Sequence, residues 1–361
     1  MKLSEFIDLM ERIAPPRLVG PDDNVGLIVG DPARRVSGIM LVAECTPDTV
    51  MCARARGCNV IVAYHPPPAG PRRALDPSSA VYLAVRRDIA IYSPHTALEA
   101  AVGGASDVLA DALGLEQRQP LRPHAVPDCC KLVVFVPPDA ADRVAEALFA
   151  AGAGRIGNYS RCSFRSPGTG TFYGEAGARP AVGHALRLER VDELRLETVV
   201  PLDRVDAVVR ALRAAHPYEQ PAFDLVRLHD VPDAGRGRIG DLPRPVSCRK
   251  LIARVKQELH LKRPLLVAGP VGGTVQRCAC VAGAGGDLID EALARGAGLF
   301  LTGEAGYQQV MRAVGRGVTV VITLHLASEM PVLRRLAARI RQAMPSVRVM
   351  VHDQADPLRL M

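Results

Sequence analysis

The spacing of apolar residues changes several times along the chain, and each change marks a boundary. In residues 1–15, MKLSEFIDLMERIAP, the side chains of Leu3, Phe6, Ile7, Met10 and Ile13 fall on one face of a helix. After a turn-rich loop with Asp22, Asp23 and Asn24, short continuous apolar runs take over at 36–42, 60–63 and 89–92, separated by helical stretches at 46–56 and 78–87. Short apolar runs of this kind predict strands, and the continuous β-branched run at 318–322 predicts one covered on both faces. Strand and helix alternating through short connections predict a largely parallel sheet. The same style returns late in the chain, with a helix at 248–259, strands at 264–267, 277–281 and 298–301, and a last apolar run at 318–322. Pro331 fits the first turn of a helix, so the following helix is expected to begin near Ser328, a good N-cap.

The middle of the chain follows another plan. A strand at 131–136, a helix at 139–151, strand-like segments at 185–188 and 194–200, a helix at 203–215 and a strand at 223–228 give the order β-α-β-β-α-β. That order belongs to a split-βαβ, ferredoxin-like α+β domain. Pro- and Gly-rich stretches at 123–127 and 232–237 read as linkers. The expected architecture is α/β, with an N-terminal segment (1–127) and a C-terminal segment (233–361) forming one domain, interrupted by an inserted domain (128–232). A chain of 361 residues is long for a single core, in keeping with this division. Residues 154–171, rich in Gly, Ser and Arg, read either as a flexible contact loop or as a long hairpin packed on a neighbouring subunit.

Polar residues at strand ends carry the candidate chemistry. Tyr64 and His65 end one strand, His95 and Glu99 follow another, Glu304 follows a third, and His325 with Glu329 follow a fourth. In a parallel sheet the carboxyl ends share one edge, so these groups are expected in one crevice. Imidazole and carboxylate together suit a divalent transition metal. Plainer roles compete: His65 capping a turn before three prolines, His95 donating to a carbonyl, Glu304 and Glu329 as helix-start charges favoured by the dipole. The cluster 283–287, GAGGD, has the look of an anion-attracting turn. It lacks the G-x-G-x-x-G spacing, and a tight strand-to-helix turn needs glycine in any case.

Composition narrows the classes. No apolar run reaches membrane-spanning length, and the first helix lacks the apolar core and cleavage site of a signal peptide, so a cytoplasmic address without membrane contact is expected. Nine Cys with no Cys-x-x-Cys disfavour structural zinc and a disulfide framework. The net charge of +7 is spread as scattered Arg with no basic block among aromatics. Nucleic-acid binding, if present, would be steeply salt-dependent.

Several segments occur in a telling order: DDNVGLIVGDP, Tyr64-His65-Pro66, His95-Thr96-Ala97-Leu98-Glu99, GRIGNYSRCSFRSPGTGTF, His216-Pro217-Tyr218-Glu219, Leu301-Thr302-Gly303-Glu304 and His325-Leu326-Ala327-Ser328-Glu329. Together they resemble the GTP cyclohydrolase 1 type 2 homologue family, the NIF-three-like or dinuclear-metal-centre hexameric proteins, over essentially the whole chain. The resemblance implies a PII- or CutA-like insertion, a toroidal homohexamer and a centre of two divalent metals, Zn, Mn or Fe. Carried over by position, His65, His325 and the bridging Glu329 match the family's ligands, Tyr64 stands where a first His is expected, and Glu99 replaces an Asp. Neutral phenol is a poor ligand. The expected centre is therefore mononuclear or holds its second ion weakly. If catalytic, its ions act as Lewis acids that activate water near pH 7, with Glu304 or His95 shuttling a proton and a phosphate-bearing small molecule as substrate. The competing reading is a non-catalytic, regulatory metal-binding assembly that takes a small effector, a protein or a nucleic acid.

Overall fold

The computed structural model describes residues 1–20, 23–67, 76–124, 129–157, 159–228 and 233–356. Asp22, Pro68, 125–127 of the first expected linker and the start of the second lie outside the described residues. The chain divides into two compact units, one of Met1–His124 with Pro232–Met361 and the other of Ala125–Val231.

In chain order, the first segment forms α1 (Leu3–Ile13), β1 (Gly26–Val29), β2 (Gly38–Glu44), α2 (Pro47–Ala55), β3 (Val60–His65), α3 (Ala80–Arg87) and β4 (Ala90–Ser93). It continues with α4 (His95–Ala100), α5 (Ala105–Leu113) and β5 (Glu116–Pro123). The second unit contains β6 (Cys129–Val136), α6 (Ala141–Ala150), β7 (Ser163–Tyr173), β8 (Leu188–Pro201), α7 (Val205–Ala215) and β9 (Phe223–Arg227). The chain then returns with β10 (Gly235–Ser247), α8 (Cys248–Glu258), β11 (Leu266–Ala268), β12 (Thr274–Ala284), α9 (Ile289–Ala294) and β13 (Leu299–Glu304). It ends with α10 (Tyr307–Gly315), β14 (Thr319–Ile322), α11 (His325–Ala343) and β15 (Arg348–Val351).

The first unit holds two sheets where one was expected, ordered β1-β4-β3-β2-β15 and β11-β14-β13-β12-β10-β5. Each has a parallel centre, and antiparallel strands close three of the four edges. The six apolar residues Gly38 to Ala43 of β2 are all buried, as in a strand covered on both faces. On one side lies the face of α1 formed by Leu3, Phe6, Leu9, Met10 and Ile13, each contributing roughly 1.5–3 kcal/mol by leaving water. Helix α11 touches β2 and β15 of one sheet and β12 and β13 of the other. It thus lies between the sheets, where Leu333, Leu336, Ala337 and Ile340 are buried. Among the described residues no helix is long and apolar enough to cross a membrane.

Four expectations need correction. Helix α11 begins at His325, not near Ser328, so Pro331 lies inside it and forgoes its backbone hydrogen bond there. The earlier start is imposed by the preceding backbone: Leu324 adopts φ 80°, ψ 154°, a conformation nearly exclusive to glycine. The stretch 232–237 is not all linker, because β10 starts at Gly235 and pairs with β5 and β12. Residues 163–171 are not a flexible loop but part of β7, paired along its full length with β8. Residues 185–188 form no separate strand, Leu188 being the first residue of β8.

In the second unit the sheet order is β7-β8-β6-β9, antiparallel throughout, with two helices supplied by the crossovers. This is the interleaving of two split βαβ units. Leu132, Val134, Leu196 and Val200 bury one sheet face against Val144, Leu148, Val208 and Leu212 of the helices.

Candidate metal centre

The two sheets and α11 bring three of the strand-end residues to one point. His65 is the last residue of β3 and His325 the first of α11, with Glu329 one helical turn further on the same face. One ligand atom from each lies within 4.8 Å of the others. His325 Nε2 is 3.1 Å from Glu329 Oε1, and His65 Nε2 is 3.5 Å from Oε2. Glu329 is wholly buried, yet neither carboxylate oxygen has a hydrogen bond of acceptable geometry. A buried carboxylate in that condition is costly unless a cation meets it.

The opposite nitrogen of each imidazole faces a second carboxylate. His65 Nδ1 faces Glu44 Oε1 at 2.8 Å, and His325 Nδ1 faces Glu304 Oε1 at 3.2 Å. Glu44 is the residue of β2 in register with His65, so the strand pairing itself places it. A carboxylate thus stands behind each ring, the arrangement that surrounds metal-ligating histidines, although His65 Nδ1 makes no hydrogen bond of acceptable geometry with Glu44. The donor set, two imidazole Nε2 atoms and one carboxylate, therefore fits a divalent transition metal.

Gly283 explains part of the glycine cluster. Its φ is +64°, and a Cβ there would sit 2.6 Å from Glu329 Oε1. Its amide donates to Ser328 Oγ at 2.8 Å, and Ser328 Oγ donates to the carbonyl of His325. The turn is shaped to admit Glu329, which accounts for this glycine without a bound anion.

Electrostatics follow from this geometry. Burial lowers the His65 pKa, but the Glu329 and Glu44 carboxylates outweigh it and raise it to about 10. Glu329 raises His325 to about 9 against burial. Burial pushes Glu329 up, and the two histidines pull it below its ordinary value. In the absence of a cation both rings thus hold protons at neutral pH, and a metal must displace them. Titration calorimetry at pH 7 in buffers of different ionisation enthalpy is expected to show about one to two protons released per ion. With chelator, the raised histidine values stabilise the fold fully below about pH 6.5, and this contribution is lost as pH rises through 9 to 10.

The other candidate residues surround this point. Tyr64 is fully buried, and its hydroxyl lies 3.5 Å from Glu99 Oε1. Burial, reinforced by Glu99 and Glu329, pushes the phenol well above its ordinary value, so it remains a neutral donor at neutral pH. Glu99, itself raised by burial, stands with Tyr64 outside the three-residue group. The His95 ring centroid is 5.2 Å from that of His65, which is 5.3 Å from that of His325. His95 Nδ1 meets Asp23 Oδ2 at 2.8 Å, and Thr96 Oγ1 donates to the same oxygen. Asp23 and Glu44 were not singled out from the sequence as site residues. Glu44 obeys the same rule of a polar residue at a strand's end.

Comparison with known proteins places these observations in a lineage. A model of the Duf34/NIF3 (NGG1p interacting factor 3) family matches residues 1–357. A "GTP cyclohydrolase 1 type 2 homolog" of Halalkalibacterium halodurans is 35% identical over 320 residues, covering 87% of this chain and 86% of its own. One from Mycobacterium tuberculosis is 34% identical over 342 residues, covering 92% and 89%. A solved structure described as a Bacillus cereus protein related to NIF3 superposes with a TM-score of 0.78 at 32% identity, covering 100% of this chain and 99% of the other.

Proposed function

The chain belongs to the Duf34/NIF3 family, and from that premise we propose that it is a metal-dependent hydrolase of a phosphate-bearing small molecule, built on one divalent ion per chain. The observation that carries this reading is the buried Glu329 carboxylate facing two imidazole Nε2 atoms with no hydrogen bond of its own. His65, His325 and Glu329 hold the cation, which is Zn, Mn or Fe. When bound, it supplies Lewis-acid activation of water near neutral pH. Glu44 and Glu304 orient the two rings. Asp23 accepts the Nδ1 proton of His95, which leaves His95 Nε2 as the nitrogen able to take a proton in the crevice. The names of the relatives point to a nucleotide as the phosphate-bearing substrate.

Tyr64 and Glu99 take the second-metal side out of use: a neutral phenol fills the position of a ligand, and the nearby carboxylate is turned to it. This favours a mononuclear centre, and it is also what a non-catalytic descendant would show. A toroidal homohexamer belongs to the same reading, as does a PII- or CutA-like role for the inserted unit, which its split-βαβ topology supports. Nine free thiols, six of them buried, support a reducing cytoplasm.

Elemental analysis of gently purified protein is expected to give about one ion per chain, rising by about one in Tyr64→His but not in Tyr64→Phe. Two ions in the wild type would overturn the mononuclear reading. Turnover of GTP or a generic phosphodiester that requires added metal supports the hydrolase. Full metal occupancy without turnover supports the non-catalytic assembly.

A further inference from the structure

The second unit contains a cavity of about 640 Å³, within the range that encloses a drug-sized molecule. It opens on the sheet face that the two helices do not cover, since Phe135 of β6 and Val191, Glu193 and Arg195 of β8 alternate with the residues packed against α6 and α7. Phe135, Phe172, Val182 and Val191 make its wall largely apolar. The connection from β7 to β8 folds over one side, and Tyr218 of the His216-Pro217-Tyr218-Glu219 motif lines the other. That motif has no part in the metal centre.

Its first residue is a positioning group. His216 Nε2 donates to the carbonyl of Phe135 at 2.9 Å, and His216 Nδ1 accepts the amide of Tyr218 at 3.0 Å. Both ring nitrogens are used, burial lowers the pKa, and the neutral ring pins Tyr218 against β6. Tyr218 Oη is sealed from solvent and makes no hydrogen bond of acceptable geometry. Burial raises its pKa, and the Glu193 carboxylate adds to that effect.

Glu193 is the unusual member. Its carboxylate lies against Gly170 of β7, so closely that a Cβ there would stand 2.2 Å from Oε2. Among the described residues no Lys, Arg or His forms an ion pair with it, although Arg179 and Arg195 line the same cavity. The Arg195 guanidinium is committed to Glu197 at 2.7 Å, with its Cζ 6.0 Å from the Phe135 ring centroid. A carboxylate without an ion-pair partner among the lining of a largely apolar cavity is complementary to an organic cation.

We propose that this cavity is a ligand site for a small organic amine, its ammonium held by Glu193 and its apolar body by Phe135, Phe172 and Val191. None of these residues is among those named at the metal centre.

The test is calorimetric titration of the full-length protein with 4-phenylbutylamine, its neutral analogue 4-phenyl-1-butanol and its anionic analogue 4-phenylbutyrate. The amine is expected to bind saturably and at least about tenfold more tightly than either analogue, as one charge-assisted contact implies. Glu193→Gln is expected to remove that preference. Gly170→Ala, whose methyl displaces the carboxylate while keeping its charge, is expected to weaken the amine by a similar factor, with an unchanged circular dichroism spectrum. Glu329→Ala is expected to bind the amine as the wild type does. Equal binding of the three probes, preference for the butyrate, an unaltered Glu193→Gln, or no binding because copies of the chain cover this face would each overturn the proposal.

Discussion

Glu329→Ala is expected to empty the metal centre, lowering affinity by more than about 100-fold. Outer carboxylates of such sites are worth about 10–100-fold each, and Glu329 is the group on which both imidazoles converge. The graded comparison is the sharper one. Glu44→Gln and Glu304→Gln each leave all three ligand atoms in place and loosen one ring, so each is expected to lose about 10–100-fold. Competition titration against a chromophoric chelator ranks the three variants. A Glu329→Ala protein that retains wild-type affinity sinks the assignment of the site, whatever its activity. Removing this buried carboxylate also removes the group that raises both histidines, so Glu329→Ala is expected to melt lower than the wild type, and Glu329→Gln, which keeps the side-chain volume, repeats the titration in a better-packed protein.

Asp107→Ala is expected to be the most destabilising change outside the core. Arg238, 2% exposed, donates from Nε and Nη2 to the two Asp107 oxygens at 2.9 and 2.8 Å. Its remaining donors reach the carbonyls of Gly235, Gly237 and Ala101. Asp107 lies on α5 and Arg238 on β10, so the pair ties the two sequence segments of the first unit. Removing one partner leaves a buried charge uncompensated, at a cost of about 3–5 kcal/mol. In a unit of this size that corresponds to a fall in Tm of roughly 6–20 °C. Replacing both partners by apolar residues, Asp107→Leu with Arg238→Met, should recover most of the loss. Thermal melts decide the matter: a single variant within about 1 kcal/mol of the wild type would show that the pair is not the buried clamp described above.

The strand-end pattern singled out His65, His325 and Glu329 on the rule that parallel strands release their last side chains at one edge of a sheet, but the two histidines follow strands of different sheets, and α11 between those sheets is what brings them together. The pattern was blind to Asp23, which comes from a loop; Glu44 fits the pattern, but its pairing with His65 is set by strand register, which the sequence does not display. β5 and β10 were missed for a different reason. EQRQPLRP and GRGRIGDLPRPVS carry turn-like Gly, Pro and Arg, and they are strands only because each finds the other across more than a hundred residues. The α11 boundary failed on a sound rule about proline. The helix accepts a lost hydrogen bond at Pro331, and the backbone accepts strain at Leu324, an arrangement that puts His325 and Glu329 on one face. The split-βαβ order of the second unit was readable from the alternation of periods, whereas the length of β7 was hidden by its glycines and serines.

Strand β15 lies parallel to β2, and Gln354 Oε1 accepts the amides of Ala43 and Glu44 at the far end of the chain's own beginning. This closure has a consequence in time. A ribosome releases residues in order, so the first 124 emerge while their sheet still lacks β15 and the helix α11 that covers it. At about 5–20 residues per second the missing pieces arrive roughly 10–50 s later. The second unit, whose strands all lie within 107 residues of one another, has every partner it needs in the interval. The nascent chain thus acquires a finished middle before either end is complete, and His65 waits exposed until translation delivers His325 and Glu329.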